Sequence, residues 1–284
     1  MVPSKAARLC AFGFAIVALA AVPLSAAEPA DWLTGQELER QLQLPAGVVW
    51  PDNRIRESLA NLAESQQTAL WLDRRIDPEM RVEATFRDVP LGALLPQLGE
   101  TFGLGVARIG PVHYFGPPET AGVLATAAAL AEEQVRRLPT AERGRLVGLQ
   151  ATQWDDLAEP RKIVEQIVAE SGLRLENLET LPHDLWPAGS LPPMNFAQRL
   201  TLVLGGFDLT FEFTSTGDAV RLVPLAKDLK LTRSFTFPSD ASLVGKLQER
   251  FPKMELRREG RQLVAAGRAE ELDTRARLLK GEPV

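Results

Sequence analysis

The feature that most constrains the fold is a duplication. Two related segments lie about 105 residues apart, the first from Trp50 to about Pro117 and the second from Trp154 to about Pro224. A chain that repeats at this interval builds two small units of one architecture rather than a single large sheet or bundle. In the first copy, Ala63-Glu64-Ser65 ends an amphipathic helix built on Ile55, Leu59 and Leu62. In the second, Ala169-Glu170-Ser171 ends one built on Ile163, Ile167 and Val168. A short strand follows each, Ala69-Leu70-Trp71-Leu72 and Leu173-Arg174-Leu175-Glu176. Apolar spacing at three and four marks the helices, and short alternating β-rich runs mark the strands.

The second half of each copy is clearer. In copy one, Val82 to Phe86 alternates as a strand. A helix then starts at Pro90, with Leu91, Leu94, Leu95, Leu98 and Phe102 on one face and Gly103 as its stop. Pro96 inside that helix predicts a kink or an early end. Val106–Ile109 and Val112–Phe115 form a hairpin across Gly110-Pro111. In copy two, Asn195 is a strong N-cap with Gln198 three residues on, the capping-box spacing. Phe196, Leu200, Val203 and Leu204 line one face, and Gly205-Gly206 ends the helix. Leu209–Phe213 alternates, Ser215–Asp218 turns the chain, and Val220 and Leu222 return it.

Residues 119–152 between the copies read as a helical connector, with an Ala-rich run from Ala121 to Gln134. The tail, 230–284, reads as β-α-β-β-α. It has a strand at Ser234–Phe237, a helix capped by Asp240 and carrying Leu243, Leu247 and Phe251, two strands around Glu259-Gly260, and a helix with Leu272, Ala276 and Leu279. So small a unit is expected to lean on the repeat before it. The pattern predicts an α+β fold of several small mixed modules: 28–118, a connector 119–152, then 153–227 and 230–284.

Residues 1–27 carry the marks of a secretory signal. Lys5 and Arg8 precede an apolar stretch from Leu9 to Leu24, and Ser25-Ala26-Ala27 supplies small residues for cleavage before Glu28. The apolar stretch is shorter than a membrane span requires. The one cysteine, Cys10, falls inside this segment, so the exported part has no disulfide framework and no thiolate metal site. The net charge of −5 conceals a split: residues 28–229 carry −11 and residues 230–284 carry +4. A basic tail on an acidic body suggests different partners for the two.

No catalytic constellation emerges. His183-Asp184, between Pro182 and Pro187, lacks a nucleophile elbow and reads as a loop. His113 reads as a strand residue. Asp155-Asp156 reads as the cap of a helix starting near Pro160 rather than a cation site with Glu159. Gly103-x-Gly105 and Gly205-Gly206 lack the Lys-Ser/Thr of a phosphate loop and read as helix stops. Neither a cofactor nor a metal is expected, and the chain is expected not to be an enzyme. Of the five tryptophans (Trp32, Trp50, Trp71, Trp154 and Trp186), Trp50 and Trp154 recur at the repeat spacing, which favours packing over glycan stacking.

Phe86-Arg87-Asp88-Val89-Pro90-Leu91, followed by Leu94, Leu95, Leu98 and Thr101-Phe102-Gly103-Leu104, resembles the short secretin/TonB N-terminal (STN) domain. Copy two is similar through Pro193-Met194-Asn195-Phe196 and Phe207-Asp208-Leu209. The tail, through Leu263-Val264-Ala265-Ala266-Gly267 and an acidic helix, is similar to the small ring-building domain of secretins. Neither a pore nor a receptor barrel is expected with these segments. The resemblance implies an exported, periplasmic or envelope-associated interaction module that docks an envelope protein partner and associates with outer-membrane machinery. The ring-building domains resemble KH folds, but no G-x-x-G clamp is present and no nucleic acid is expected. The expected docking elements are exposed edge strands at Val112, Tyr114 and Phe115 or at Val220 and Leu222, by strand addition. A basic face of Arg257, Arg258, Arg261 and Arg268 is a second expected docking element. The alternative function is binding of cell-wall polysaccharide through the tryptophans.

Overall fold

The computed structural model describes residues 31–236, 242–252 and 254–279. The expected signal at 1–27, Phe237 and the Asp240 cap lie outside the described residues, as do the side chains of Leu243, Leu247 and Leu279. The class is α+β, with helices packed on five small sheets.

Copy one opens with α1 (Gly35–Gln43). It continues through β1 (Pro45–Arg54), α2 (Ile55–Gln66), β2 (Leu70–Leu72), β3 (Arg81–Pro90), α3 (Leu91–Thr101), β4 (Gly105–Ile109) and β5 (Val112–Gly116). Two helices follow, α4 (Pro118–Arg137) and α5 (Thr140–Val147). Copy two is β6 (Gln150–Trp154), α6 (Pro160–Glu170), β7 (Arg174–Glu176), β8 (Gly189–Met194), α7 (Phe196–Gly205), β9 (Leu209–Phe213) and β10 (Ala219–Pro224). The tail is β11 (Leu231–Thr236), α8 (Ser242–Arg250), β12 (Glu255–Glu259), β13 (Gln262–Gly267) and α9 (Ala269–Leu279).

The duplication holds to the level of strand register. β1 pairs antiparallel with β3, and β6 with β8. Trp50 faces Ala84 as Trp154 faces Gly189, and Val48 faces Phe86 as Thr152 faces Leu191. Both ladders slip at the same place, between Ala46 and Val48 and between Gln150 and Thr152. Each copy also has a three-stranded sheet, β2-β5-β4 and β7-β10-β9, in which the short strand joins in parallel and the hairpin partner antiparallel.

This topology corrects the expected edges. β5 and β10 are the central strands of their sheets, and Val112, Tyr114, Phe115, Val220 and Leu222 are buried. The cause is β2 and β7, which pair along the side of the hairpin that local sequence leaves open. β1 and β8 carry no clean strand signal in the sequence because Pro45, Pro51, Pro192 and Pro193 interrupt the alternation, and β6 (Gln-Ala-Thr-Gln-Trp) carries none because it is short and mostly polar. α3 runs unbroken through Pro96 to Thr101, and Gly103 at φ +68° follows it. The Asn195 capping box is formed as expected. Asp155 and Asp156 do not cap α6. Its N-cap is Glu159, whose side chain makes no cap bond, and Pro160 at the first helical position sets the start.

α4 is the mast of the molecule. At 20 residues it extends about 30 Å. It packs on β4 of copy one, α7 of copy two, and α9 and β11 of the tail. The tail therefore leans on the connector: Leu231, Met254, Ala265, Ala269 and Leu272 close a small core against Ala125, Ala129 and Leu130. The backbone N–H of Ala269 donates to Thr126 Oγ1 at 3.0 Å across this contact.

Candidate functional site

The two copies are locked together by their outer residues. Trp71 at β2 meets Trp154 of β6 and Trp186 of the loop before β8, with ring centroids 5.9 and 5.5 Å away. Trp186 stacks on Phe207, and the Arg74 guanidinium covers the other aromatic surface at 4.7 Å from the Phe207 centroid. Arg74 Nε also donates to Asp184 Oδ2 at 2.5 Å, and Trp186 Nε1 donates to the same oxygen at 3.0 Å. Asp184, paired with His183 in the sequence, is thus an ion-pair partner that orients the cluster. Its carboxyl lies below the usual range: Arg74 and Trp186 outweigh the desolvation that pushes it up. Trp71, Trp154 and Trp186 pack on one another, Trp50 packs on Phe102 at 5.9 Å, and half-buried Trp32 packs against the apolar cluster of Ala69, Tyr114 and Leu124. That removes the support for glycan stacking.

A polar latch lies beside the cluster. Arg75 donates to Asp73 on its own turn, to Asp208 Oδ2 of copy two at 2.6 Å, and to the carbonyl of Gly205 at 3.0 Å. Tyr114 donates to the fully buried Asp73, and Thr120 at the start of α4 donates to Asp208. Lys227 Nζ donates to Asp208 at 2.6 Å. Desolvation raises the Asp208 carboxyl, but these donors outweigh it and hold it at about 2. Burial beside Asp73 drives the Tyr114 phenol far up. Every member is engaged with another, so the set works as glue between copies.

The four tail arginines do not form one face. Arg257 and Arg258 are neighbours on β12 and point to opposite sides of the sheet. Arg261 sits in the β12–β13 turn. Arg268 stands at the far end of β13, its guanidinium against Gly122 of α4. What they share is exposure. β12 is an outer strand: it pairs with β13 on one side, and among the described residues no strand pairs with its other side. Glu255, Arg257, Arg258 and Glu259 along it are exposed, and only Leu256 is half-buried.

A cleft of about 670 Å³ opens between copy one and the tail. Its floor is one face of α4, Ala125, Ala128 and Ala129, ending at Glu132. One wall is Glu39 and Gln43 of α1 with Arg108 of β4. The other is Arg233 of β11 with Glu270, Asp273 and Arg277 of α9. Gly110, at φ +56° in the β4–β5 turn, closes one end. A Cβ there would sit 2.7 Å from Gln198 Oε1, so the turn needs glycine both for its backbone and for its fit against copy two. Arg108 pairs with Glu39 at 2.5 Å, and Arg233 pairs with Asp273. Glu132 Oε1 accepts from Asn195 Nδ2 at 2.9 Å and Gln198 Nε2 at 2.8 Å. The Glu270 carboxyl is pushed up to about 7 by desolvation, Arg268 opposing and Asp273 and Glu271 adding to the rise. Sequence reasoning singled out none of the lining residues as a site, and they come from six separate elements and the β4–β5 turn. Among the described residues, no group of three or more His, Cys, Asp or Glu is placed to hold a metal, and no helix is long and apolar enough to cross a membrane.

No protein-family model matches this chain, and no curated protein is significantly similar to it. Among solved structures it is similar to the Salmonella SPI-1 type III secretion injectisome basal body proteins InvG, PrgH and PrgK, at 11% identity and a TM-score of 0.24, over 83% of this chain and 45% of that one. It is also similar to XcpQN012, at 15% identity and a TM-score of 0.16, over 46% of this chain and 65% of that one. A third similarity is to a cysteine-substituted dimer mutant of the N-terminal domain of the secretin XcpQ from Pseudomonas aeruginosa, at 10% identity and a TM-score of 0.21, over 83% of this chain and 98% of that one. The chain thus spans less than half the length of the first of these and slightly under two thirds of the second.

Proposed function

We propose that this chain is a non-enzymatic protein-interaction component of the cell envelope, exported by its N-terminal segment and working beside secretion or outer-membrane transport machinery. The observation that carries the reading is the outer edge of β12. It is an exposed strand on a tail anchored from its other side to the α4 mast. An outer strand offers a row of backbone donors and acceptors to a partner's extended segment, and side chains alternate along it to set specificity. Arg257 and Arg261, exposed beside that edge, favour an acidic segment. The docking strand is thus β12, in place of β5 or β10.

A photo-crosslinking amino acid placed at Arg257 in cells making the full chain tests this. The expected result is one discrete envelope adduct that is absent when the probe replaces buried Leu222 and is lost in the Arg261→Glu background. No adduct at Arg257, or the same adducts from both positions, overturns the reading.

A further inference from the structure

The cleft beside α4 has chemistry that the β12 edge does not use. Two of its four carboxylates already face cations: Glu39 is bonded to Arg108 and also feels Arg277 across the gap, and Asp273 is bonded to Arg233. The other two have no ion pair among the described residues. Glu132 is held by two side-chain amides, both on Oε1, which orient it without neutralising it. Among the described residues Glu270 makes no hydrogen bond or ion pair; Arg268 acts on its carboxyl through charge alone, and desolvation is the larger force on it. An oriented carboxylate and one without an ion pair, lining the same cleft, favour a cationic group there. Between the walls runs the alanine face of α4, where small side chains leave an apolar floor. A ligand that satisfies both features has a narrow aliphatic stem and a cationic head.

We propose that this cleft binds a lysine or arginine side chain from an extended segment of a partner protein, its stem on Ala125, Ala128 and Ala129 and its head met by Glu132 and Glu270. This deepens the interaction reading above and rests on it. It assigns the chain a second docking surface, distinct from the β12 edge. The volume lies within the range of sites that enclose small ligands and single side chains.

Titration calorimetry on the full chain tests the inference. The probe is the blocked peptide acetyl-Ala-Lys-Ala-Lys-Ala-amide, compared with its norleucine and glutamate counterparts. The lysine peptide should bind at least tenfold more tightly than either. The double variant Glu132→Gln, Glu270→Gln should lose at least tenfold in affinity while keeping its urea midpoint. Ala128→Leu, which fills the floor and leaves both carboxylates in place, should lose binding as well. Equal binding of the three peptides, undiminished binding by the double variant, or no binding of the lysine peptide at millimolar concentration would each overturn the proposal. Crosslinking at Arg257 reports the interaction reading independently, so a failed cleft and a failed function give different results.

Discussion

The two copies share a backbone and fill it differently. Leu94 in α3 and Arg199 in α7 occupy the same position, four residues before Leu98 and Val203, and both are buried. Around Leu94 the matching neighbours are Ala46, Val48 and the exposed Glu64. Around Arg199 they are Gln150, Thr152 and Glu170. In copy two each of the three contributes an acceptor: Thr152 Oγ1 at 3.0 Å, Glu170 Oε2 at 2.8 Å and Gln150 Oε1 at 2.7 Å. The lesson is that a charge enters this core with acceptors gathered around it. Both terminal nitrogens of Arg199 are bonded, while its buried Nε has no partner among the described residues, so the polar solution to this backbone is nearly but not fully satisfied. The copies differ again at Trp50 and Trp154. One closes its own copy's core against Phe102, and the other reaches across to Trp71.

The sharpest way to break the comparison is to move the charge without its acceptors. Leu94→Arg places a guanidinium among Leu91, Leu95, Leu98 and Val48, where Ala46 and Val48 stand in place of the Gln150 and Thr152 acceptors and only exposed Glu64 matches Glu170, an incompletely compensated burial costing about 3 kcal/mol or more. Urea unfolding should show copy one lost and a collapsed midpoint. A variant that unfolds within about 1 kcal/mol of the parent would mean that the acceptors around Arg199 are incidental.

A second difference concerns acid. His113 on β5 is buried with no partner for Nδ1, and burial, with Arg108 adding and Glu39 opposing, holds its imidazole down to about 4. β10 of copy two carries no histidine. A histidine kept neutral by the fold takes up protons more readily when unfolded. Its contribution to stability is therefore present above the unfolded value near 6.5 and is lost as pH falls from there to about 4, by up to about 3 kcal/mol. His113→Ala should flatten stability between pH 6.5 and 4 while lowering it modestly at pH 7. A slope unchanged by the substitution would place the acid sensitivity elsewhere.

Much of this was legible in the sequence, and the rest was hidden for definite reasons. α2, α3, α6 and α7 and both hairpins follow from local apolar spacing and turn residues, and the Asn195 box from a four-residue pattern. The central place of β5 and β10 depends on β2 and β7, whose partners lie some 43 to 45 residues further along the chain. One clue was present. Val112-His113-Tyr114-Phe115 is a nearly continuous apolar run, the mark of a strand buried on both faces rather than of an exposed edge. Arg199 was also readable, as the one charge on a helix face that is otherwise apolar, opposite Leu94 of the other copy. The cleft had no local signal, since each of its six elements contributes only a few residues and the alanines of α4 look like ordinary helix formers.

The mildest test treats the polar set as a unit. Glu170→Ala alone removes the carboxylate that, among the described residues, pairs with buried Arg199. The carboxylate is partly solvated, so the loss should be about 2 kcal/mol, below the full cost of breaking an interior pair. Adding Arg199→Met removes the stranded charge and refills much of its volume with an unbranched apolar chain, as Leu94 fills the other copy. The double variant should recover to within about 1 kcal/mol of the parent, so the two changes together cost less than the first alone. Denaturant melts of the single and double variants decide it. If the losses simply add, Arg199 is stabilising in its own right through packing that Met does not replace, and the two cores are not interchangeable solutions to one backbone.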